Sequence, residues 1–242
     1  MKILGIIPAR YASTRFPAKP LVDIAGKTMI QRVYEQAKKC DLDYVVVATD
    51  DERIASVVRD FNGEVVMTDT QHQSGTDRCA EVALLFPEYD IIINIQGDEP
   101  FIDPAQIALV KSCFTDQTIK LATLIKEIHQ EEELFNPNIP KVIINSNQEA
   151  IYFSRHPIPY LRGAVEPADW VSKHQFYKHI GIYGYTRQTL LEIKNLAPSA
   201  LELAESLEQL RWLENGYQIK TKVTGIETIA IDTPEDLQKI IF

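Results

Sequence analysis

The sequence predicts an α/β fold, a mostly parallel sheet with helices on both faces and a smaller antiparallel lobe inserted. Three observations carry that expectation. Short apolar runs at residues 3–7, 44–48 and 91–95 alternate with stretches of helical periodicity, the pattern of βαβ units. These runs are apolar throughout, as strands buried on both faces are. The second half changes character, with closely spaced strand-like segments and a proline-rich stretch.

Taken in order, residues 3–7 form the first strand. Met29, Ile30, Val33, Tyr34 and Ala37 recur at helical spacing, so residues 28–39 form a helix. Residues 44–48 are a buried strand ending at Thr49-Asp50-Asp51, followed by a helix over 52–61 and a short strand over 64–67. Residues 77–86 are helical, with Thr76 as the N-cap. The run 91–95 is the strongest strand signal and stops at Gln96-Gly97-Asp98-Glu99-Pro100. A helix over 104–114 has proline in its first turn. Residues 121–128 alternate weakly. Residues 141–145 and 150–154 flank Ser146-Asn147-Gln148 as a hairpin. Pro157, Pro159 and Pro167 make residues 155–169 loop or edge. Residues 179–185 read as strand and 186–195 as helix. Residues 200–215 read as one helix, with Leu201, Ala204, Leu207 and Leu210 on one side and Gly216 ending it. Strands over 219–223 and 226–231 precede a last helix that starts at 233–236. The whole reads as a single domain with an antiparallel lobe at about 128–190, and such lobes often pair subunits.

The 242 residues are enough to bury a full core. Net charge is −9, which argues against a nucleic-acid-binding surface. Cys40, Cys79 and Cys113 are far apart and odd in number, so they read as reduced, in keeping with a cytoplasmic protein. Proline and arginine interrupt the first apolar run too early for a signal peptide, and no stretch approaches the ~20 apolar residues of a membrane span.

Against that acidic background stands a local exception. The first strand empties into a loop carrying Arg10, Ser13, Thr14, Arg15 and Lys19, three cations and two hydroxyls suited to anionic oxygens. By charge alone, this is either a solvated loop or an anion site; its place after the first strand favours the site. It lacks the glycines of a P-loop or a dinucleotide fingerprint. Ser74-Gly75-Thr76-Asp77-Arg78 is either an ordinary helix cap with a turn glycine or a helix start that grips a phosphate or base edge. Asp98 emerges after a strand near the cations. Asp103 is better placed to cap the following helix, which leaves Asp98 for a metal. Asp232 ends another strand, and Thr233 with Asp236 forms the cap that frees it. Two such carboxylates suit Mg²⁺ beside phosphate. Asp50-Asp51 reads as a helix cap. The five histidines have no metal-ligand spacing, and no serine sits in a nucleophile elbow.

Seven segments, in order, are similar to one family. They are Ile7-Pro8-Ala9-Arg10-Tyr11-Ala12-Ser13-Thr14-Arg15, His72 to Arg78, Asn94 to Pro100, Tyr152-Phe153-Ser154-Arg155, His179-Ile180-Gly181-Ile182-Tyr183, Leu207-Glu208-Gln209-Leu210-Arg211 and Asp232 to Leu237. The chain resembles the 3-deoxy-manno-octulosonate cytidylyltransferase (CMP-Kdo synthetase) family nearly end to end. The resemblance implies a Rossmann-like nucleotidyltransferase sheet and the reaction of CTP with Kdo to CMP-Kdo and pyrophosphate, with Mg²⁺, for lipopolysaccharide synthesis. It implies that Arg10, Ser13, Arg15 and Lys19 hold the triphosphate, and that Ser74, Gly75, Arg78 and Gln96 also bind CTP. Asp98 and Asp232 would hold the metal. Gln96, Arg155, His179, Tyr183, Glu208 and Gln209 would line the sugar pocket. Lys19, Arg15, Asp98 and Asp232 would carry catalysis. A cytoplasmic homodimer, its lobe both binding sugar and dimerising, completes the expectation.

Two residues depart from the family pattern. Ala18 replaces the usual glycine and Phe16 a common leucine, and residues 162–170 match poorly. The alternatives are a cytidylyltransferase for 8-amino-Kdo or a sialic acid, or a nucleotide-binding regulator without turnover. Tyr11-Ala12, where sialic-acid enzymes have glycines, argues against the second sugar. Asp98 and Asp232 argue against the regulator.

Overall fold

Strand β1 (Ile3–Ala9) shows how the core is divided. Ile3, Ile7 and Ala9 point into one apolar layer, Leu4 and Ile6 into the other, as the two-residue strand period requires. The computed structural model describes every residue except 13–15, 165, 228–230, 232 and 238–242. After β1 come a 3-10 turn (Lys19–Leu21) and a small hairpin, β2 (Asp23–Ile24) and β3 (Lys27–Thr28), which the sequence reading missed. Its turn residues Ala25 and Gly26 both have positive φ, the geometry that two-residue hairpins favour.

The next elements follow expectation closely. They are α1 (Met29–Lys38), β4 (Tyr44–Thr49), α2 (Glu52–Asp60), β5 (Val65–Met67), α3 (Gly75–Leu85), β6 (Ile91–Asn94) and α4 (Pro104–Lys111). Helix α3 begins two residues earlier than expected. Its cap is Ser74, not Thr76: the Ser74 side chain accepts from Asp77 N–H while Asp77 accepts from Ser74 N–H. The helix over 104–114 stops at Lys111, and Ser112–Thr115 tighten into a 3-10 turn.

Strand β7 (Leu121–Ile128) alternates weakly in sequence because its first five residues are all buried. Two short helices fall where no element was expected, α5 (Glu131–Phe135) and α6 (Pro167–Lys173). The hairpin β8 (Lys141–Ile144) and β9 (Ala150–Ser154) is as read. Strand β10 (Phe176–Thr186) is eleven residues long, and α7 (Arg187–Ile193) follows. The expected single helix over 200–215 is two, α8 (Ala200–Glu205) and α9 (Gln209–Glu214). Ser206 breaks it with a left-handed φ of 53°. Strand β11 (Lys220–Val223) precedes residues 224–227, which are not in a strand; 228–230 lie outside the described residues, so the expected strand over 226–231 is not observed where it is described. Helix α10 (Pro234–Leu237) starts as read.

The main sheet runs β11-β7-β10-β6-β1-β4-β5. All of these are parallel except β10, which lies antiparallel between β6 and β7. Helices α1, α2 and α4 cover one face, with Ile30, Val33, Ile54, Val58, Ile107 and Val110 in its core. Helices α3, α7 and α9 cover the other, with Cys79, Val82, Leu190, Ile193, Leu210 and Trp212. The hairpin β8–β9 extends from β10. All three cysteines are free thiols.

Candidate active site

Strand order places β1 between β4 and β6, so chain connections leave it in both directions. The crevice beyond such a switch point is where open α/β sheets bind ligands. A cleft there is lined by Arg10, Lys19, Ser74, Gly75, Gln96 and Asp98, among others. The end of β1 and the loop after β6 touch so closely that a Cβ on Gly97 would stand 2.7 Å from Pro8 O. Glycine at 97 is a steric requirement of that contact.

Lys19 Nζ donates to Asp98 Oδ2 at 2.8 Å, joining the first loop to the loop after β6. Ala18 makes the turn that delivers Lys19, at φ 58° and ψ 18°, with its N–H on Tyr11 O at 3.0 Å. The sequence flagged this position as wanting glycine, and its left-handed backbone is the reason. Ile231 N–H donates to Asp98 O at 3.0 Å. Ser13, Arg15 and Asp232 lie outside the described residues.

Helix α3 aims its N-terminus at the cleft, with Ser74 and Gly75 on the wall. Arg78 also lines the cleft, but its guanidinium is bonded elsewhere. It donates to Asp50 Oδ2 at 2.8 Å and to Thr68 Oγ1. Asp51 alone caps α2, accepting from Arg53 N–H at 3.0 Å. The expected cap at Asp50-Asp51 therefore divides: Asp50 holds Arg78, and so ties the ends of β4 and β5 to α3. No local spacing signals that pair. His72 lines the cleft as well and is bonded to Glu81.

Glu208 meets the same helix end. Thr76 Oγ1 donates to Glu208 Oε2 at 2.8 Å. Burial raises the Glu208 carboxyl above its ordinary value, and bonds from Thr76 and Ser74 oppose that rise. His179 and Tyr183 project from β10, with ring centroids 5.2 Å apart. Phe153 packs edge-on against His179, and Trp212 edge-on against Tyr183. Burial pushes the imidazole down to about 3, so the ring is neutral. Burial, with the Glu208 charge, pushes the Tyr183 phenol well up. Gln209 is buried at the start of α9.

Arg155 is held by backbone. Its Nε donates to Glu205 O at 2.6 Å, Nη1 to Pro137 O at 3.0 Å and Nη2 to Ser206 O at 3.2 Å. It clamps the break between α8 and α9, which sequence reasoning had not seen. The two groups of residues abut at Gln96. Tyr183 pairs with Asn94 at the end of β6, and a Cβ on Gly181 would stand 3.7 Å from Gln96 Cγ.

Comparison with known proteins agrees with this architecture. A family model described as cytidylyltransferase matches residues 4–223. The 3-deoxy-manno-octulosonate cytidylyltransferase of Parabacteroides distasonis is 60% identical, over 100% of this chain and 97% of its own length. The enzyme of the same name from Cytophaga hutchinsonii is 58% identical, over 99% and 96%. A solved structure of a CMP:2-keto-3-deoxy-manno-octonic acid synthetase complexed with CTP superposes at a TM-score of 0.91, with 43% identity over 99% of this chain and 96% of that one. A glucose-1-phosphate thymidylyltransferase structure from Bacillus anthracis shares the fold at a TM-score of 0.64 and 20% identity. A cationic first loop facing Asp98 across a switch-point crevice, carried on a chain this close to those relatives, makes the protein a nucleotidyltransferase, and it belongs to the 3-deoxy-manno-octulosonate cytidylyltransferase family.

Proposed function

We propose that the chain transfers CMP from CTP to the anomeric hydroxyl of Kdo (3-deoxy-D-manno-octulosonate), releasing pyrophosphate, and that its product feeds lipopolysaccharide synthesis. One observation carries the reading. A cleft beyond the ends of β1 and β6, lined by the cations Arg10 and Lys19, meets at Gln96 a second set of polar and aromatic groups on β10 and α9. A donor triphosphate and an acceptor sugar acid need that adjacency.

Arg10, Ser13, Arg15 and Lys19 take the triphosphate, and Ser74, Gly75 and Gln96 take the cytidine. Arg78 serves that side by locking the first turns of α3 to Asp50 and Thr68. His179, Tyr183, Glu208 and Gln209 take the sugar with Gln96. Arg155 still has donors for a carboxylate, since three of its five N–H groups bond to carbonyls. The sugar hydroxyl attacks the α-phosphorus in line and gives up its proton to solvent, and the bond to the bridging oxygen of the β-phosphate breaks, releasing pyrophosphate. Rate comes from positioning and from Lys19 and Arg15 neutralising charge on the departing pyrophosphate. No covalent intermediate with the protein is formed.

Cytidylyltransferases generally work with a divalent metal. Among the described residues, no three His, Cys, Asp or Glu side chains gather to hold one. Mg²⁺ takes one or two protein carboxylates and completes its shell with phosphate oxygens and water. Asp98 offers hard oxygen in the cleft, and Ile231, bonded to Asp98, precedes Asp232 in the chain. These two carboxylates are assigned to Mg²⁺. When bound, it supplies charge neutralisation at phosphate and hydroxyl oxygens.

The chain is taken as one nucleotidyltransferase domain. Its segment of about 128–190 contributes sugar-binding residues and pairs two copies into a cytoplasmic homodimer. Exposed Ile151 and Tyr160 on that segment support a covered surface. Among the described residues, no helix is long and apolar enough to cross a membrane. The test is pyrophosphate release with CTP, Mg²⁺ and Kdo. Release that needs the sugar and stops with chelator is expected; none above a no-sugar control refutes the assignment.

A further inference from the structure

His179 and Tyr183 stand on a strand irregularity that nothing in the sequence marks. Strands β10 and β7 pair at His179↔Ile125 and Ile180↔Leu124, then resume at Tyr183↔Thr123. Gly181 and Ile182 are therefore extra residues on β10. In an unbroken strand, positions four apart lie about 13 Å from each other. Across this bulge His179 and Tyr183 face β7 residues only two apart, and their rings come within 5.2 Å. The bulge also carries Gly181 to Gln96.

A bulge takes carbonyls out of the ladder, and buried carbonyls need another donor. Thr123, fully buried on β7, supplies it. Its Oγ1 lies 2.7 Å from Ile182 O and 3.2 Å from Ile180 O. The same oxygen lies 3.0 Å from His179 Nε2. A hydroxyl has one proton. With that proton directed at the carbonyls, the oxygen accepts from the imidazole, so Nε2 carries hydrogen and Nδ1 carries the lone pair.

We infer that Thr123 is a positioning residue: its hydroxyl pins the β10 bulge and fixes His179 as the Nε2–H tautomer, presenting Nδ1 as an acceptor to a hydroxyl of the sugar acid. Sequence gives no hint of it, because Thr123 precedes His179 by 56 residues and belongs to none of the family-like segments. The inference rests on the assignment of His179 to the sugar, and the experiment separates the two.

Nitrogen-15 NMR of histidine-labelled protein without substrate reads the tautomer directly. The wild type is expected to show Nε2 with the shift of a protonated nitrogen and Nδ1 with that of an unprotonated one. The reverse pattern overturns the inference. Thr123→Val keeps the shape and removes the hydroxyl, whereas Thr123→Ser keeps the hydroxyl. In folded Thr123→Val, the KM for Kdo should rise about tenfold, the loss of one hydrogen bond, with the KM for CTP unchanged and the tautomers mixed. Thr123→Ser should restore the wild-type KM and spectrum. An unchanged KM for Kdo in Thr123→Val, or a Thr123→Ser that behaves like it, overturns the positioning role. If Thr123→Val does not fold, the wild-type spectrum and Thr123→Ser decide. Wild-type protein that releases no pyrophosphate with CTP and Kdo overturns the sugar reading instead, while the spectrum still decides the tautomer.

Discussion

Replacing Gly97 by alanine tests whether the crevice depends on the close contact between the end of β1 and the loop after β6. The new methyl would sit 2.7 Å from Pro8 O, a backbone oxygen that cannot rotate away. Real Cβ contacts rarely fall below 3.0–3.4 Å, so the strand end and the loop must part by roughly 0.3–0.7 Å. They have little freedom to do so, because Ile95 N–H is bonded to Ile6 O at 2.9 Å just before the contact. Forcing a methyl into such a space costs about 1–3 kcal/mol. For a domain of this size that lowers Tm by about 3–9 °C. The backbone of Gly97 is not left-handed, so the cost is steric and not conformational.

The consequence for activity follows from the next residue. Asp98 carries the bond to Lys19 at 2.8 Å and accepts from Ile231 N–H. Moving it by half an ångström disturbs both, and misplacement of about 1 Å at a reacting centre costs about a hundredfold. We expect kcat/KM to fall at least about tenfold while KM for Kdo changes little. Gly75→Ala is the internal comparison. Its methyl would come no closer than 3.3 Å to the Pro8 ring, with Asn94 Nδ2 at 3.9 Å, so its loss of stability should be smaller. Thermal melts and steady-state pyrophosphate release on both variants decide the matter. Wild-type Tm and kcat/KM in Gly97→Ala would refute the account of the crevice.

Three further outcomes are expected. Ala18→Gly relieves a left-handed backbone that costs alanine about 1–2 kcal/mol, against about 0.5–1 kcal/mol for glycine's greater freedom when unfolded; Tm should rise by about 2 °C, and a fall would contradict the strain. Asp50→Ala leaves the buried Arg78 guanidinium without its carboxylate and should cost about 3 kcal/mol, read as a Cm shift in urea; an unchanged midpoint would show that Thr68 alone holds it. His179 takes a proton near its ordinary pKa of 6.5 when unfolded but only at about 3 when folded. Its contribution to stability is therefore complete above pH 6.5 and lost as pH falls toward 3, at up to about 1.4 kcal/mol per pH unit. His179→Gln should flatten that acid limb in urea titrations, and an unaltered limb would place the loss elsewhere.

What the sequence discloses here is what lies close in the chain. Lys19 and Asp98 each follow a buried strand, and parallel strands bring their ends to one edge, so their meeting was legible. Ala18 was legible as a glycine-like position from the family pattern alone, with its φ giving the reason. Distant partners were not legible. Arg155 looks like a carboxylate binder from its type, but its immediate partners are carbonyls of Pro137, Glu205 and Ser206. Asp50 looks like a cap beside Asp51, and only the fold brings Arg78 to it. The segment 200–215 looked like one helix because Leu201, Ala204, Leu207 and Leu210 keep helical spacing, but only Leu207 and Leu210 reach the core; Leu201 and Ala204 are exposed and α8 buries no residue, so spacing alone hid the break at Ser206.

The antiparallel setting of β10 gives the two proposed ligand sites a common sheet. A parallel strand between β6 and β7 would reach the ligand edge only with its last residues. Running the other way, β10 passes that edge early: Tyr183 is already level with Asn94 at the end of β6, so residues 176–182 extend beyond it. That stretch carries His179 and the bulge at Gly181, and it pairs with β8 through Tyr177 and Lys178. The proposed acceptor side is thereby built onto the same rigid sheet as the cleft proposed for the triphosphate, with Gln96 between them. In-line transfer needs that fixed relation between two substrates, and a separate domain on a flexible linker would not hold it.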